Sequence, residues 1–348
     1  MLNKTSYTLS RLDFEGTPFE IGQQLGRFGA GAVHDYLLRS TAWDTVQHWK
    51  GSAAAHDMAR LTRQRLPDVW SELEGLADGL HLPLDDVFLW NARGDLWAMA
   101  PDGCTTVLTP GPDKQRITHN EDGDPGFAGH CAVVQCQVRG KPGFASFVYP
   151  GSIPGHTVAV NNSGVAMTVN NVRALHVDPG LPRMVLTRTI LDMPDVAAAI
   201  RLLRDSPRSG AFNLNLSDTS GQTLVSVEFS SGMCSVLDIT EPLLHANHAI
   251  HADTRDYPQI ITGSSGHRQL RGNTLVAQGG SDPLAILADD DGGRFPIFRR
   301  TFDDSDNENT LATADITVYP DRVEWQVYED PRQDARFRLE NGCFVQAA

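Results

Sequence analysis

The stretch DGCTT, residues 102–106, marks the place where the chain changes from a helical to a β-rich pattern. Before it, apolar residues recur every three or four positions, as in FEIGQQLG at 19–26, which predicts amphipathic helices. After it, short β-branched and apolar runs alternate with glycine and proline, which predicts antiparallel strands. The cysteine therefore opens the first strand of the second part. The glycine before it has no Cβ, so its carbonyl group can be approached closely.

The same patterns predict the other elements of the chain. Helices are predicted at 19–37, 70–80, 84–93, 195–203 and 270–287. Strands are predicted at 105–108, 116–119, 132–138, 145–149, 157–160, 164–170, 211–216, 223–229, 234–239, 312–319 and 322–328. Since no repeat or low-complexity segment divides these elements, we expect α+β layers within one domain.

Composition excludes several classes of protein. The chain has 348 residues and 41% hydrophobic residues, enough to bury a large core. It carries 29 Lys and Arg against 43 Asp and Glu, and this net charge of −14 disfavours nucleic-acid binding. No apolar run reaches the roughly 18 residues of a membrane span. The N-terminal MLNKTSYTLSRLDFEG has no apolar core of a signal peptide, so we expect a cytoplasmic protein.

The five cysteines, Cys104, Cys131, Cys136, Cys234 and Cys343, form an odd set without Cys-X-X-Cys spacing. We therefore expect neither a disulfide framework nor a zinc cluster. Four of them are predicted to be small buried apolar residues. Cys104 differs from these four because it follows a glycine at the helix-to-strand transition.

Three further patterns raise the question of a metal. His245 and His248 in HANH have a spacing that suits a helix, but the segment before them is strand-like. The acidic run at 288–294 could hold a cation, although solvated loop charge is the favoured interpretation. The run NEDGD at 120–124 lacks the remaining ligands of a calcium loop. We predict no metal and no cofactor.

Six segments spread along the chain carry a resemblance to a known family. They read FEIGQQLG at 19–26, ELEGLADGLHLPLDDVFLWNARGDL at 72–96, GCTT at 103–106, HNEDGD at 119–124, YPGSIPG at 149–155 and HANH at 245–248. In these segments the chain resembles the peptidase C45 family, which includes the fungal acyl-coenzyme A:6-aminopenicillanic acid acyltransferase and the β-alanyl-amine hydrolases. The resemblance extends from residue 19 to about residue 320.

This resemblance implies the four-layer αββα sandwich of the N-terminal nucleophile (Ntn) hydrolases, an α+β fold. It also implies that the precursor cuts its own Gly103–Cys104 bond. The α chain, residues 1–103, and the β chain, residues 104–348, would together form one Ntn domain. Cleavage would leave Cys104 with a thiol and a free α-amine, whose pKa of about 7.7–8.0 allows it to take the thiol proton. One residue would then serve as both nucleophile and base.

The resemblance also implies roles for four catalytic residues. Cys104 would be the nucleophile. Asp122 follows it by 18 residues in an Asn-X-Asp pattern and would orient the new α-ammonium group, a loop aspartate in a turn being the alternative. Asn247, within HANH, would line the oxyanion hole. An arginine of the segment FPIFRR would pair with Asp122; Arg299 and Arg300 both fit, and Arg299 is the candidate we choose.

Four residues near these motifs are predicted to bind substrate: Thr105, Asn120, Tyr149 and Asn170. Structural roles are the alternatives, with Asn120 bracing its turn, Tyr149 beginning a Pro-Gly turn and Asn170 belonging to a buried asparagine ladder. One departure from the family also bears on substrate. Glu121 and Gly123 flank Asp122 where the penicillin acyltransferase branch carries a tryptophan and an aromatic residue, so the chain resembles the hydrolase-like branch.

The leading functional prediction is an autoprocessed cysteine amidohydrolase that cleaves a small N-acyl amide through a thioester on Cys104. An N-acyltransferase that uses an acyl-coenzyme A or amide donor is the first alternative, because both reactions share the acyl-enzyme. An unprocessed, non-catalytic ligand-binding protein is the alternative from another class. The expected partners are a small-molecule amide or amine substrate and the two chains of one precursor, with a homo-oligomer left open and neither nucleic acid nor membrane expected.

Overall fold

The structure, a computed structural model, describes residues 8–100, 103–221, 223–279, 282–291, 293–301, 304 and 306–345. Residues 1–7, where a signal peptide would begin, and the first residue of the stretch at 102–106 lie outside the described residues. A strand begins at Gly103, as the change of pattern predicts. No described helix combines the length and the apolar character that crossing a membrane would require.

The described elements are numbered in chain order. The helices are α1 (Pro18–Asp35), α2 (Thr41–Gln47), α3 (Ala53–Arg65), α4 (Pro67–Leu80), α5 (Leu84–Asn91), α6 (Arg93–Leu96), α7 (Arg183–Ile190), α8 (Val196–Asp205), α9 (Gly263–Gln278) and α10 (Pro283–Leu287). The strands are β1 (Ser10–Gly16), β2 (Gly103–Thr109), β3 (Gln115–Gly123), β4 (Ala132–Val138), β5 (Phe144–Val148), β6 (Val158–Asn161), β7 (Val165–Ala174), β8 (Ala211–Asp218), β9 (Leu224–Phe229), β10 (Cys234–Asp238), β11 (Leu243–His245), β12 (Gln259–Ile260), β13 (Asn309–Val318), β14 (Val323–Tyr328), β15 (Phe337–Glu340) and β16 (Cys343–Phe344).

These strands form two large sheets. The larger sheet has the order β1-β4-β5-β6-β7-β8-β9-β10, with β12 paired to β7, and the smaller has the order β11-β2-β3-β13-β14-β15-β16. Helices α1 and α8 contact the larger sheet, α9 and α10 contact the smaller one, and β2 meets β7 where the sheets touch. The predicted α+β class is confirmed, and the sheets bring β2 and its cysteine to their contact.

Two of the family-like segments meet as a helix pair. Helices α1 and α4 pack so closely that a Cβ added to Gly22 would lie 1.9 Å from the carbonyl oxygen of Glu72. A Cβ added to Gly75 would lie 1.9 Å from the carbonyl oxygen of Phe19. Only glycine permits this backbone approach, so the glycines of the segments at 19–26 and 72–96 have a packing role.

The structure differs from the predicted elements in several places. The helix predicted at 270–287 is two helices, because the chain turns at Gly279, where φ is 69°, and Pro283 begins α10. Strand β1 was not predicted. It pairs in parallel with β4, and such a long-range pairing leaves no local sequence pattern. Helices α2, α3 and α7 were not predicted either.

The cysteines outside β2 fall into two groups. Cys131 and Cys136 are buried, as predicted. Cys234 and Cys343 are only half-buried because they lie on β10 and β16, the edge strands of their sheets. The prediction of burial is therefore wrong for these two.

Candidate functional site

The candidate site forms where β2 and β3 pair. Cys104 lies directly opposite Glu121, and Gly103 lies directly opposite Asp122. Strand β11 pairs with the other edge of β2, so Cys104 belongs to an inner strand and is only 4% exposed. The segments GCTT and HNEDGD are therefore cross-strand neighbours, which brings residues 17 and 19 positions apart into contact.

Side chains hydrogen-bond both the backbone N–H group and the carbonyl group of Cys104. Its N–H donates to Oδ1 of Asn247 at 3.0 Å. Nη1 of Arg268 donates to its carbonyl oxygen at 2.5 Å and to Oγ1 of Thr105 at 2.8 Å. Nη2 of Arg268 also donates to Oδ1 of Asn247, at 2.6 Å. Asn247 and Arg268 thus hold the backbone of the predicted nucleophile in one position, and Thr105 helps to orient Arg268.

Asn247 lies just after β11 and is held by the start of α9. Its backbone N–H donates to Oγ of Ser265 at 3.0 Å, and Thr262 caps the helix. Its side-chain nitrogen is buried and has no hydrogen-bond partner among the described residues. Burying an N–H₂ group without an acceptor costs free energy, and an oxyanion would supply the missing acceptor. Stabilising an oxyanion is the role predicted for Asn247.

The thiol of Cys104 has a carboxylate beside it. Sγ lies 3.6 Å from Oε2 of Glu121. Oε1 of Glu121 accepts a hydrogen bond from the Tyr149 hydroxyl at 2.8 Å, and Oε2 lies 3.1 Å from Nε2 of His119. Burial lowers the pKa of His119 to about 3 and raises the pKa of Tyr149 well above its usual range, so both stay uncharged at neutral pH.

Asp122 is buried beside the predicted cleavage bond. Its Oδ1 accepts a hydrogen bond from Oγ1 of Thr310 at 2.7 Å, and Oδ2 has no hydrogen-bond partner among the described residues. Burial raises its pKa, against the opposing effect of the positive charges of Arg268 and Arg299. The carboxylate therefore has one oxygen to offer to a new cationic group, such as an α-ammonium.

Of the two arginines proposed as partners of Asp122, Arg299 lies near the site. It is fully buried, its backbone N–H donates to Thr310, and Nη1 donates to Oε2 of Glu308 at 2.6 Å. Its ion pairs are with Asp304, Asp306 and Glu308. It is linked to Asp122 through the hydroxyl of Thr310 and through its positive charge. Arg300 is half exposed and pairs with Asp330, away from Cys104.

Glu308 is a further buried carboxylate at the cleavage bond. A Cβ added to Gly103 would lie 2.3 Å from Oε2 of Glu308, so the carboxylate rests against the glycine. Burial raises the pKa of Glu308 to about 7, although Arg299 and Arg173 oppose this shift. The side chains of both Glu308 and Asp122 thus lie beside Gly103, the residue before the predicted cleavage bond.

The four predicted substrate-binding residues have different surroundings. Thr105 accepts from Arg268. The amide of Asn120 bonds the backbone of Leu287 and the hydroxyl of Thr313, so it ties β3 to α10 and β13 and does not brace a turn. Asn170 accepts from Thr106 and Asn215 and donates to the carbonyl of residue 245, within a network between the sheets. Tyr149 lines a cavity.

That cavity lies next to the site. It is lined by Leu37, Ser40, Ala42, Trp90, Arg93, Gly123, Asp124, Phe127, Tyr149, Pro150 and Ser152. Tyr149 borders the cavity with its ring and bonds Glu121 with its hydroxyl, whereas Cys104 is not part of the lining. Tyr149 and Glu121 therefore connect this cavity to the thiol of Cys104.

The metal alternatives can be compared with these contacts. His245 lies 2.9 Å from a carboxylate oxygen of Glu228, and His248 lies 2.7 Å from Oγ of Ser265, so the two rings have separate partners. Within the described residues, Cys104, His119 and Glu121 have ligand-type atoms within 4.8 Å of one another. Because these atoms already hydrogen-bond one another, we interpret the set as a hydrogen-bonded network.

Three residues of the site escaped the sequence analysis. Glu121 was treated only as a departure from the family, although its position between Asn120 and Asp122 on a strand places it opposite Cys104. Arg268 lies 164 residues from Cys104 on another element, and no motif marks it. Glu308 lies in the acidic stretch DDSDNEN at 303–309, whose composition is typical of a solvated loop, but it is buried.

Comparison with known proteins adds an independent finding. The model of the family described as acyl-coenzyme A:6-aminopenicillanic acid acyl-transferase matches residues 109–332. The chain is 26% identical over 216 residues to a β-alanyl-dopamine/carcinine hydrolase of Drosophila melanogaster, covering 55% of this chain and 56% of that protein. It is 24% identical over 250 residues to the 40 kDa form of the acyl-coenzyme A:6-aminopenicillanic-acid-acyltransferase of Emericella nidulans, covering 68% of each. The match thus spans little more than half the length of the Drosophila relative.

Proposed function

Because the chain belongs to the acyl-coenzyme A:6-aminopenicillanic acid acyl-transferase family, we propose that it is a cysteine Ntn enzyme that cuts its own Gly103–Cys104 bond. Residues 1–103 and 104–348 would then form one Ntn domain with a four-layer αββα arrangement. Two large sheets that meet at β2 and β7, with helices against each sheet, support this arrangement.

The observation that carries the proposal is the contact between Cys104 and Asn247. The amide oxygen of Asn247 holds the N–H of Cys104 at 3.0 Å, while its N–H₂ group has no acceptor among the described residues. One side chain thus fixes the nucleophile and presents a buried donor next to it. A donor of this kind stabilises the oxyanion that forms when a thiol attacks a carbonyl.

Turnover would follow from these groups. The α-amine freed by cleavage takes the thiol proton, and the thiolate attacks the acyl carbon of an amide. The Asn247 amide stabilises the oxyanion, the amine of the substrate departs with a proton, and a thioester on Cys104 remains. Water then releases the acyl group as a carboxylic acid, and Asp122 and Arg268 keep the Cys104 backbone and amine in position.

We propose a small N-acyl amide as the substrate and hydrolysis as the main reaction. The cavity beside Tyr149 has apolar and aromatic walls with a few polar groups, but its volume of about 20 Å³ means that a small amide would have to widen it. Gly123 and Glu121 flank Asp122, which favours the hydrolase-like branch over penicillin acyl transfer. The Drosophila relative, named for hydrolysis of β-alanyl amines, supports the same choice.

Denaturing mass analysis of the purified protein tests self-cleavage. We expect two fragments, the larger beginning with Cys104-Thr105-Thr106, a single intact chain from Cys104→Ala, and slower cleavage in Cys104→Ser. A wild-type protein that stays one chain of 38.0 kDa would favour the non-catalytic binding alternative. Activity in a purified Cys104→Ala protein would exclude the thioester mechanism.

Hydrolysis and transfer are then separated by product analysis. The processed enzyme is given N-acyl amides in the presence of a second, free amine, and the acid and the new amide are measured. Free acid as the main product supports the hydrolase. New amide as the main product supports the transferase alternative.

A further inference from the structure

The thiol of the uncleaved chain needs a base that the mature enzyme does not need. Before cleavage, the nitrogen of Cys104 is a peptide N–H, and it donates to Asn247 at 3.0 Å. A peptide nitrogen has no basic lone pair, so it cannot take the proton of Sγ. Self-cleavage under the proposed function therefore requires a proton acceptor from another residue.

We propose that Glu121 is the general base for self-cleavage of the Gly103–Cys104 bond. Its Oε2 lies 3.6 Å from Sγ, a distance at which a thiol can donate to oxygen, and the two residues face each other across the β2–β3 pair. Glu121 is 3% exposed, so the proton transfer takes place away from bulk water. A general base in such a position contributes about a hundredfold to ten-thousandfold to a rate.

Neighbouring side chains hold the carboxylate in this orientation. The Tyr149 hydroxyl donates to Oε1 at 2.8 Å, and His119 lies with Nε2 3.1 Å from Oε2. Because the Thr106 hydroxyl donates to Asn170, the neutral His119 ring carries its proton on Nδ1 and donates to Oγ1 of Thr106 at 2.7 Å. Nε2 is therefore an acceptor, and it can receive a hydrogen bond from Oε2 once Oε2 has taken the thiol proton. The other buried thiol near Glu121, Cys131, donates to the carbonyl of residue 127. Oε2 is thus the carboxylate oxygen directed at the nucleophile.

The step balances without any further reagent except water. The S–H proton passes to Oε2 as Sγ bonds to the carbonyl carbon of Gly103. When the C–N bond breaks, the nitrogen of Cys104 takes that proton and becomes an amine, leaving a thioester between Gly103 and Sγ. Water hydrolyses the thioester to the carboxylate of Gly103 and the thiol of Cys104, and the new amine then serves as the base for turnover.

The test measures the first-order conversion of pulse-labelled full-length precursor made by cell-free translation. We expect Glu121→Gln to slow conversion at least about a hundredfold. Glu121→Ala should be equally slow, and added sodium formate should accelerate it, because a small carboxylate can occupy the space of the missing side chain. Sodium chloride at the same ionic strength should not accelerate it, and the exposed control Glu340→Gln should convert at the wild-type rate.

The outcomes separate this inference from the function on which it rests. A wild-type precursor that never converts overturns self-cleavage itself. A wild-type precursor that converts while Glu121→Gln converts equally fast overturns only the role of Glu121. Slow conversion of Glu121→Ala that formate leaves unchanged, in protein with a wild-type melting temperature, also overturns it, because a purely structural role would give that result.

Discussion

Arg268 and Asn247 are joined by a hydrogen bond of 2.6 Å from a guanidinium nitrogen to the amide oxygen. The same guanidinium donates to the carbonyl oxygen of Cys104 at 2.5 Å, so it ties the predicted oxyanion-hole residue to the predicted nucleophile. Burial lowers the pKa of Arg268, against the opposing effect of the nearby negative charge of Asp122. With Oγ of Ser264 as a fourth acceptor, this buried arginine fixes the mutual geometry of the site.

The first prediction concerns this arginine. Arg268→Lys keeps the charge but loses the planar fork, so it cannot bond Cys104, Thr105 and Asn247 together. We expect it to lower the free energy of unfolding by about 3 kcal/mol and to slow self-cleavage at least about tenfold. Denaturant unfolding and the fragment ratio measure these effects.

Arg271→Lys is the matched control on the same helix. Arg271 is a third exposed and pairs with Asp289, so its replacement should change stability by less than about 1 kcal/mol. If Arg268→Lys behaves like Arg271→Lys in both measurements, Arg268 has no organising role.

The second prediction tests the role of the Asn247 amide nitrogen separately from that of its amide oxygen. Asn247→Asp keeps the oxygen that accepts from Cys104 but replaces the N–H₂ donor by an acceptor. We expect processed Asn247→Asp and Asn247→Ala proteins to lose turnover by about a hundredfold while remaining folded. Turnover per processed chain is measured, with the processed fraction taken from intact mass. An unchanged rate in both variants contradicts the oxyanion assignment.

Local patterns predicted much of the region around Cys104. Alternating apolar residues and Gly-Pro punctuation predicted β2 and β3, and the strand register then places Glu121 and Asp122 opposite Cys104 and Gly103. Asn247 and Arg299 came from the resemblance to the family, and both lie near the cysteine. Their catalytic roles stay predictions.

Contacts between distant elements could not be predicted in this way. Arg268 contacts Cys104 only because α9 packs beside β11. Strand β1 pairs with β4, although more than a hundred residues separate them in the sequence. Glu308 sits in a polar, acidic stretch, yet Arg299 compensates its charge inside the protein. The pattern of polar residues along the sequence does not predict an ion-pair partner that only the folded structure brings close.

The third prediction concerns the glycine of the cleavage bond. The added Cβ of Gly103→Ala would lie 2.3 Å from Oε2 of Glu308 and 3.2 Å from Cβ of Asp122, so the backbone or Glu308 must move. Since the attack requires close alignment of thiol and carbonyl, we expect self-cleavage to slow at least about tenfold. Time-resolved fragment analysis measures the rate.

The control for this variant is Gly31→Ala. An added Cβ at Gly31 on α1 meets no atom within 4 Å, and alanine favours helix, so cleavage should be unchanged and stability equal or higher. Equal cleavage rates in the two variants would show that Gly103 is not sterically constrained.

The last prediction follows from the buried carboxyl of Glu308. Burial raises its pKa from 4.5 to about 7, against the effect of Arg299. Between these pH values the folded protein keeps a proton that the unfolded chain has released. The contribution of Glu308 to stability is therefore fully present below pH 4.5 and is lost as the pH rises through about 7. The Gln side chain of Glu308→Gln is uncharged at every pH, so this variant does not lose stability at this site as the pH rises.

We therefore expect the free energy of unfolding of Glu308→Gln, relative to wild type, to rise by on the order of 3 kcal/mol between pH 4.5 and 8. Urea unfolding at a series of pH values measures it. The exposed Glu340→Gln should show no such trend, because its side chain is solvated in both states. A pH-independent difference between Glu308→Gln and wild type would mean that Glu308 is charged throughout this range. Its ion pair with Arg299 would then outweigh the burial of the carboxylate at the cleavage bond.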